Sequence, residues 1–79
     1  MSFVVETKTN LLICEIKGRD EMVDPIVQAK ATAAVKWCIS ATGHARANGG
    51  KSWHYLLIPD DQVLLNATLD GLAARFSRT

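Results

Sequence analysis

The chain has 79 residues, 48% of them hydrophobic, and a formal net charge of +1. That length holds one small domain, 1–79, and little more, so a partner chain or missing neighbouring segments would not surprise; the hydrophobic content argues against a disordered chain. The near-neutral balance neither demands nor excludes a nucleic-acid partner, because local patches decide that question.

No apolar run approaches the roughly 20 residues that span a bilayer. The N-terminus lacks a basic region followed by an apolar block and a small-residue cleavage site, so a cytoplasmic protein is expected. Two cysteines, Cys14 and Cys38, fit buried free thiols in a reducing compartment. The chain enters an apolar strand pattern already at Phe3, which suggests a fragment with Met1-Ser2 left from a cloning boundary.

Phe3-Val4-Val5-Glu6-Thr7 reads as a short strand, rich in β-branched and aromatic residues. Lys8-Thr9-Asn10 supplies a turn, with Asn10 able to take a positive φ. Leu11 to Lys17 is the return strand, ended by Gly18. Antiparallel pairing through so tight a turn sets residues 1–3 opposite residues 15–17. Arg19 to Val23 forms a largely polar connection. Asp24-Pro25 then starts a helix, with Asp as N-cap and Pro at the first helical position. That helix should run to Ile39, with Gly43 just past its end and Val27, Ala31, Ala34, Val35 and Cys38 as its apolar stripe.

Residues 44–51 read as a mobile loop with Asn48-Gly49-Gly50 at its tip. Ser52 to Ile58 is a third strand closed by Pro59. Asp60 or Asp61 caps a final helix in which Leu65, Leu69, Leu72 and Phe76 recur at helical spacing. Gly71 within it permits close packing, and Ser77-Arg78-Thr79 is a frayed tail. The order β-β-α-β-α, with a strand–helix–strand unit favouring parallel pairing, predicts an α/β fold: a small mixed three-stranded sheet flanked by helices.

The return strand carries the chemistry. Leu11-Leu12-Ile13-Cys14-Glu15-Ile16-Lys17 is almost wholly apolar, as expected of a central strand covered on both faces, yet it ends in Glu-x-Lys. Side chains alternate, so Glu15 and Lys17 share one face while Leu12, Cys14 and Ile16 share the other. A carboxylate and an ammonium side by side at a strand end suit metal-dependent phosphodiester hydrolysis. The carboxylate fixes a divalent cation, and the Lys orients water or offsets developing charge. The same pair also reads as a plain surface ion pair worth about 0–1 kcal/mol.

Phe3-Val4-Val5, a short turn, the strand with Glu15-Ile16-Lys17-Gly18, and then Lys30, Ala33, Ala34 and Trp37 on a helix resemble the C-terminal nuclease domain of type III restriction enzymes. Trp53-His54-Tyr55-Leu56-Leu57-Ile58-Pro59 resembles the strand that follows in those proteins. That domain belongs to the PD-(D/E)xK nuclease superfamily, and the resemblance covers roughly residues 3–59. It implies a restriction-endonuclease-like core, N-terminally truncated, whose parent is a Mg²⁺-dependent DNA endonuclease of restriction–modification. Glu15 would be the metal-binding carboxylate, Lys17 the lysine of the (D/E)xK element, and the Ile16 backbone carbonyl a further metal ligand.

The resemblance also implies DNA and a modification or recognition subunit as partners, and ATP bound by a helicase-like motor absent from this chain. The family places Pro-Asp immediately before the Phe-Val strand, where this chain has Met1-Ser2. Ser2 cannot supply that charge, so weak or absent metal binding and catalysis are expected of this chain. The alternative is a non-catalytic interaction or dimerisation module on the same scaffold; an unrelated small α/β binding domain is a third reading.

Other signals are weaker. Gln28 and Lys30 could face the site, with Lys30 a candidate catalytic residue; exposed helix positions are the competing reading. Asp20 and Glu21 fit a solvated loop better than a metal site. Arg19, Arg46 and Lys51, with Lys36 behind them, are candidate phosphate contacts, the 44–51 loop above all. Cys14, Cys38, His44 and His54 form no compact zinc-ligand pair. Gly49-Gly50-Lys51-Ser52 is followed by a strand rather than the helix a phosphate loop needs. Asn66-Ala67-Thr68 is a glycosylation sequon by letters only. Trp37, Trp53, Tyr55 and Phe76 read as core rather than base-stacking platforms. The first strand, lacking whatever paired with it upstream, is an exposed edge that invites self-association.

Overall fold

A computed structural model describes residues 1–64 and 66–79. Two strands, β1 (Ser2–Glu6) and β2 (Asn10–Lys17), form a hairpin; a 3₁₀ turn (Arg19–Val23) leads into helix α1 (Pro25–Ala47). Strand β3 (Ser52–Pro59), a second 3₁₀ turn (Asp60–Gln62) and helix α2 (Leu69–Phe76) complete the order. The result is a small mixed α/β domain, with sheet order β1-β2-β3, β1 antiparallel and β3 parallel to β2. Among the described residues no helix is long and apolar enough to cross a membrane.

The hairpin register is the one the turn dictates. Ser2 lies opposite Glu15 and Phe3 opposite Cys14, while Met1 and Ile16 exchange backbone hydrogen bonds, 2.7 Å from Ile16 N to Met1 O and 3.2 Å from Met1 N to Ile16 O. The turn itself differs. Asn10 begins β2 with ordinary backbone angles, since no residue other than glycine has a positive φ among those described. The Thr7 hydroxyl does the work instead, accepting from Asn10 N at 2.9 Å, while Thr7 N donates to Asn10 O at 2.9 Å.

Alternation along β2 and β3 divides the core into two layers. On one face Leu12, Cys14, Leu56 and Ile58 are buried beneath Leu69, Leu72, Ala73 and Phe76 of α2, with Val5 and Ile16 beside them. On the other, Tyr55 and Leu57 are buried with Ala31 and Cys38, packed by Val27, Ala34 and Val35 of α1. The expected α1 stripe is therefore the buried one. Both cysteines are free and fully buried, and desolvation raises both thiol pKa values, which disfavours the reactive thiolate. Trp37 departs from expectation: it is 51% exposed and meets Trp53 edge-on at 4.9 Å.

Helix α1 starts as read, with the Asp24 carboxylate accepting from Ile26 N at 2.8 Å and Pro25 at its first turn. It does not stop before Gly43. The helix continues through that glycine to Ala47, so the loop shrinks to Asn48–Lys51. Two contacts hold the extra turns. Thr42 Oγ1 accepts from Trp53 N at 2.9 Å and donates to Trp53 O at 3.2 Å, and Gly50 N donates to Ala45 O at 2.7 Å. Gly49, at φ 74°, supplies the left-handed residue that closes a helix C-terminus.

The C-terminal region also differs. Asp60 and Asp61 open a 3₁₀ turn rather than the last helix. Helix α2 starts at Leu69, where the Thr68 hydroxyl accepts from Gly71 N at 3.0 Å. A Cβ on Gly71 would sit 3.0 Å from that hydroxyl, so the glycine serves the cap rather than close packing. Leu65, expected in the helix, lies outside the described residues. The tail is not frayed: Ser77 bridges Leu56, Arg78 N donates to Tyr55 O at 2.9 Å, and Tyr55 N donates to Thr79 Oγ1 at 3.1 Å.

Leu56 is fully buried and belongs to the layer beneath α2. Leu56→Ala should cost about 2–5 kcal/mol, a large share of what a domain this size holds. The urea midpoint should fall accordingly, while Val63→Ala, at a half-exposed position, should leave it nearly unchanged.

Candidate functional site

The C-terminal end of β2 presents its two charges on the α1 face. Ile13, one step earlier on that face, packs in the α1 layer, so Glu15 and Lys17 continue its row. Lys17 Nζ lies 3.6 Å from Glu15 Oε1, and the two side chains are 30% and 24% exposed. They are neither sealed in the core nor free in solvent. Helix α1 stands over β3, where Leu57 is the parallel partner of Glu15, and this leaves the β1 side of the pair open.

Two neighbours define the rest of the site. The first is Ser2, the cross-strand partner of Glu15. The exchange of both bonds between Met1 and Ile16 makes Ser2–Glu15 a non-hydrogen-bonded pair. Such pairs bring Cα atoms to about 4.5 Å, with both side chains on one face. The second is Tyr55, 6% exposed. Burial holds its hydroxyl above the ordinary phenol range, and the negative charge of Glu15 adds to that, while Arg78 opposes it.

The Ile16 carbonyl accepts from the Met1 ammonium at 3.2 Å and so faces β1. As a donor set for a hard cation this end of the sheet offers one carboxylate, already beside an ammonium, and one backbone oxygen. Mg²⁺ is commonly held by one or two carboxylates together with waters and substrate phosphate oxygens, so a single carboxylate is the smallest such set. No group of three or more His, Cys, Asp or Glu residues positioned to hold a metal occurs among the described residues. Glu15 and the Ile16 carbonyl are the two oxygen donors this end of the sheet would offer a cation, with Ser2 across from Glu15 where a second acid would add to them.

The other candidate residues scatter. Lys30 is exposed on α1, away from the buried stripe. Gln28, half-buried two residues earlier, bridges two elements: its Nε2 donates to Met22 O and its Oε1 accepts from Arg78 Nη1 at 3.1 Å. Arg19 is committed to Asp61 through a two-pronged pair at 2.9 and 2.6 Å. Lys51 donates to Glu6 Oε2 at 2.7 Å and to Thr7 O at 2.8 Å, tying the start of β3 to the hairpin. Arg46, exposed on the last turn of α1, lines an open cleft of about 410 Å³ with Ile39, Thr42, Trp53 and His54. Glu21 Oε1 accepts from Gly18 N at 3.4 Å, a local contact in an exposed turn. Of the candidate phosphate contacts, Arg19 and Lys51 are thus each held by a carboxylate, while Arg46 is exposed.

The Gln28–Arg78 bridge escaped the sequence reading. Arg78 sits in a short polar tail with no periodicity, and nothing in its neighbours marks it as a strand extension.

No family model matches the chain, and no curated protein or solved structure matches it.

The Arg19 and Lys51 pairs set a pH dependence. Hydrogen bonds from the cations lower the pKa of Asp61 and of Glu6 below their ordinary values. A carboxyl depressed in the folded state stabilises the fold above its unfolded pKa, and that contribution is lost as pH falls through the folded value. Stability should therefore drop on the acid side of the ordinary carboxylate range, near pH 4 and below. Arg19→Ala should raise the Asp61 titration midpoint in carboxyl-resolved NMR and shrink the acid-side loss of thermal stability. An unchanged midpoint would refute the pairing.

Proposed function

We propose that this chain is the core of a PD-(D/E)xK-type nuclease domain, related to the nuclease domain of type III restriction enzymes. Its Glu15 and Lys17 form one half of a centre for hydrolysing DNA phosphodiesters. One observation carries the reading: Glu15 and Lys17 share a face at the end of the middle strand, with Ser2 directly across from Glu15. That is the geometry in which a second acid at position 2 would complete a two-carboxylate cation site. The resemblance of residues 3–59 to that nuclease family points the same way.

In this reading Glu15 supplies a metal-binding carboxylate, and Lys17, 3.6 Å from it, supplies a positive charge toward a phosphate or an attacking water. The cation, when held by a complete ligand set, would polarise the phosphate and lower the pKa of a bound water. The chain with Ser2 lacks that set, so its own residues orient rather than cleave. DNA contacts through Arg46 and Lys30 are compatible with their exposure. Arg19 and Lys51 would first have to leave their carboxylate partners.

A second reading has its own observation. The Glu15 carboxylate already has Lys17 as partner, and an uncharged Ser2 faces it, which suits a non-catalytic interaction module on the same scaffold.

Ser2→Asp separates the two. Under the nuclease reading this variant should gain Mg²⁺ or Mn²⁺ binding, seen as amide shifts at Glu15 and Ile16 and a metal-dependent rise in melting temperature, while the unmodified chain shows weak or no response. Adding Glu15→Gln should abolish the gain with the fold intact by circular dichroism. A Ser2→Asp variant that ignores both metals would leave the interaction-module reading in place.

A further inference from the structure

The two edges of the sheet are treated differently. At the β3 edge, Trp53 has both its backbone N–H and its C=O engaged by the Thr42 hydroxyl, and Tyr55 has both of its groups engaged by Arg78 and Thr79. That edge is closed. At the β1 edge the hydrogen-bond phase is fixed by the Met1–Ile16 and Thr7–Asn10 bonds. Residues 1, 3, 5 and 7 bond inward to β2, so Ser2, Val4 and Glu6 direct their N–H and C=O groups outward. The strand is short and flat in sequence terms: it has no proline and no lysine, the usual guards of an edge. Two of its three apolar side chains are exposed, one on each face, Val4 at 57% and Phe3 at 41%, while Val5 packs against the core.

We infer that this edge is a seam between two copies of the chain, with β1 paired antiparallel to β1 about a two-fold axis at Val4. Self-complementarity favours a second copy over an unrelated strand. In that register the outward residues 2, 4 and 6 of one copy meet 6, 4 and 2 of the other, so every outward donor has an outward acceptor. Val4 meets Val4, and Phe3 meets Val5, an aromatic–β-branched cross-strand pair.

Charge agrees as well. Glu6, the one charged side chain in the strand, falls opposite Ser2 rather than another Glu6, and Lys51 already neutralises it at 2.7 Å. Because the β3 edge is closed, pairing ends at two copies and gives a closed six-stranded sheet rather than an open fibre. This seam does not depend on the nuclease reading.

Sedimentation of the 79-residue chain over a concentration series tests the inference. A five-residue seam is a small interface, so the mass should rise with concentration from 8.6 kDa toward twice that value. Val4→Lys sets two ammonium groups across the axis and should hold the mass at 8.6 kDa with an unchanged circular dichroism spectrum. Val4→Cys should give a reducible covalent dimer on mild oxidation, whereas Val63→Cys should not. Cys14 and Cys38 are fully buried and do not compete. A chain that stays monomeric into the millimolar range overturns the inference, as does a Val4→Lys variant that dimerises like the parent. If Val4→Lys fails to fold, the absence of a Val4→Cys cross-linked dimer is decisive against it.

Discussion

Strand β3 is the constraint on which the rest of the molecule depends. From Tyr55 to Pro59 it is buried on both faces, Tyr55 and Leu57 under α1 and Leu56 and Ile58 under α2. The described residues form two α-helices, and both lay their apolar stripes against this strand. Burying four large side chains there yields several kcal/mol, at about 25 cal/mol per Å² of apolar surface. Once that is done, little apolar surface remains for β1. The bare flank at Phe3 and Val4 and the half-open end at Glu15 and Lys17 are two results of one allocation.

The charges follow the same allocation. Arg19–Asp61 and Lys51–Glu6 join segments more than 40 residues apart, so each fastens a peripheral element to the sheet. Glu15–Lys17 joins nothing distant: its members are two residues apart on one strand. A partly exposed pair of that kind is worth about 0–1 kcal/mol, so the fold does not require charge at those positions. An apolar residue at either would continue the α1-facing row that Ile13 begins. A charge pair that stability does not demand, at the rim of a core built otherwise from apolar side chains, is where chemistry is best sought.

The elements legible in the sequence were those in which a local signal agreed with burial. The hairpin register follows from a short turn between two apolar runs, and the alternation in Leu12-Ile13-Cys14 assigns the faces. Asp24-Pro25 marks the start of α1 without help from the rest of the chain. The failures share one cause, a tertiary contact outweighing a local preference. A helical glycine costs roughly 1 kcal/mol, yet α1 passes through Gly43 because Thr42 is bound on both sides to Trp53 and Ala45 anchors the closing turn at Gly50. Asp61 reads as a cap but is claimed by Arg19, 42 residues away. The tail residues Ser77 to Thr79 have no pattern of their own and are ordered by the free edge of β3. Of the candidate site, the Glu15–Lys17 pair and its cross-strand neighbour were legible because strand geometry alone sets them. The commitment of Arg19 and Lys51 to carboxylates was not, because long-range pairing leaves no periodic trace.

Position 2 is where stability and chemistry pull apart. A non-hydrogen-bonded cross-strand pair holds its side chains closer than any other pair in the ladder. Two carboxylates there, at positions 2 and 15, would repel, and one would be driven to protonate unless a cation stood between them. Lys17 offsets one negative charge and has none to spare for a second. Without a divalent ion, then, a neutral residue beside Glu15 is the more stable choice, and serine, small and able to hydrogen-bond a carboxylate, meets that need. An acid at position 2 makes physical sense only where a metal is regularly bound. The charge carried at position 2, directly across from Glu15, therefore decides whether this end of the sheet needs a cation.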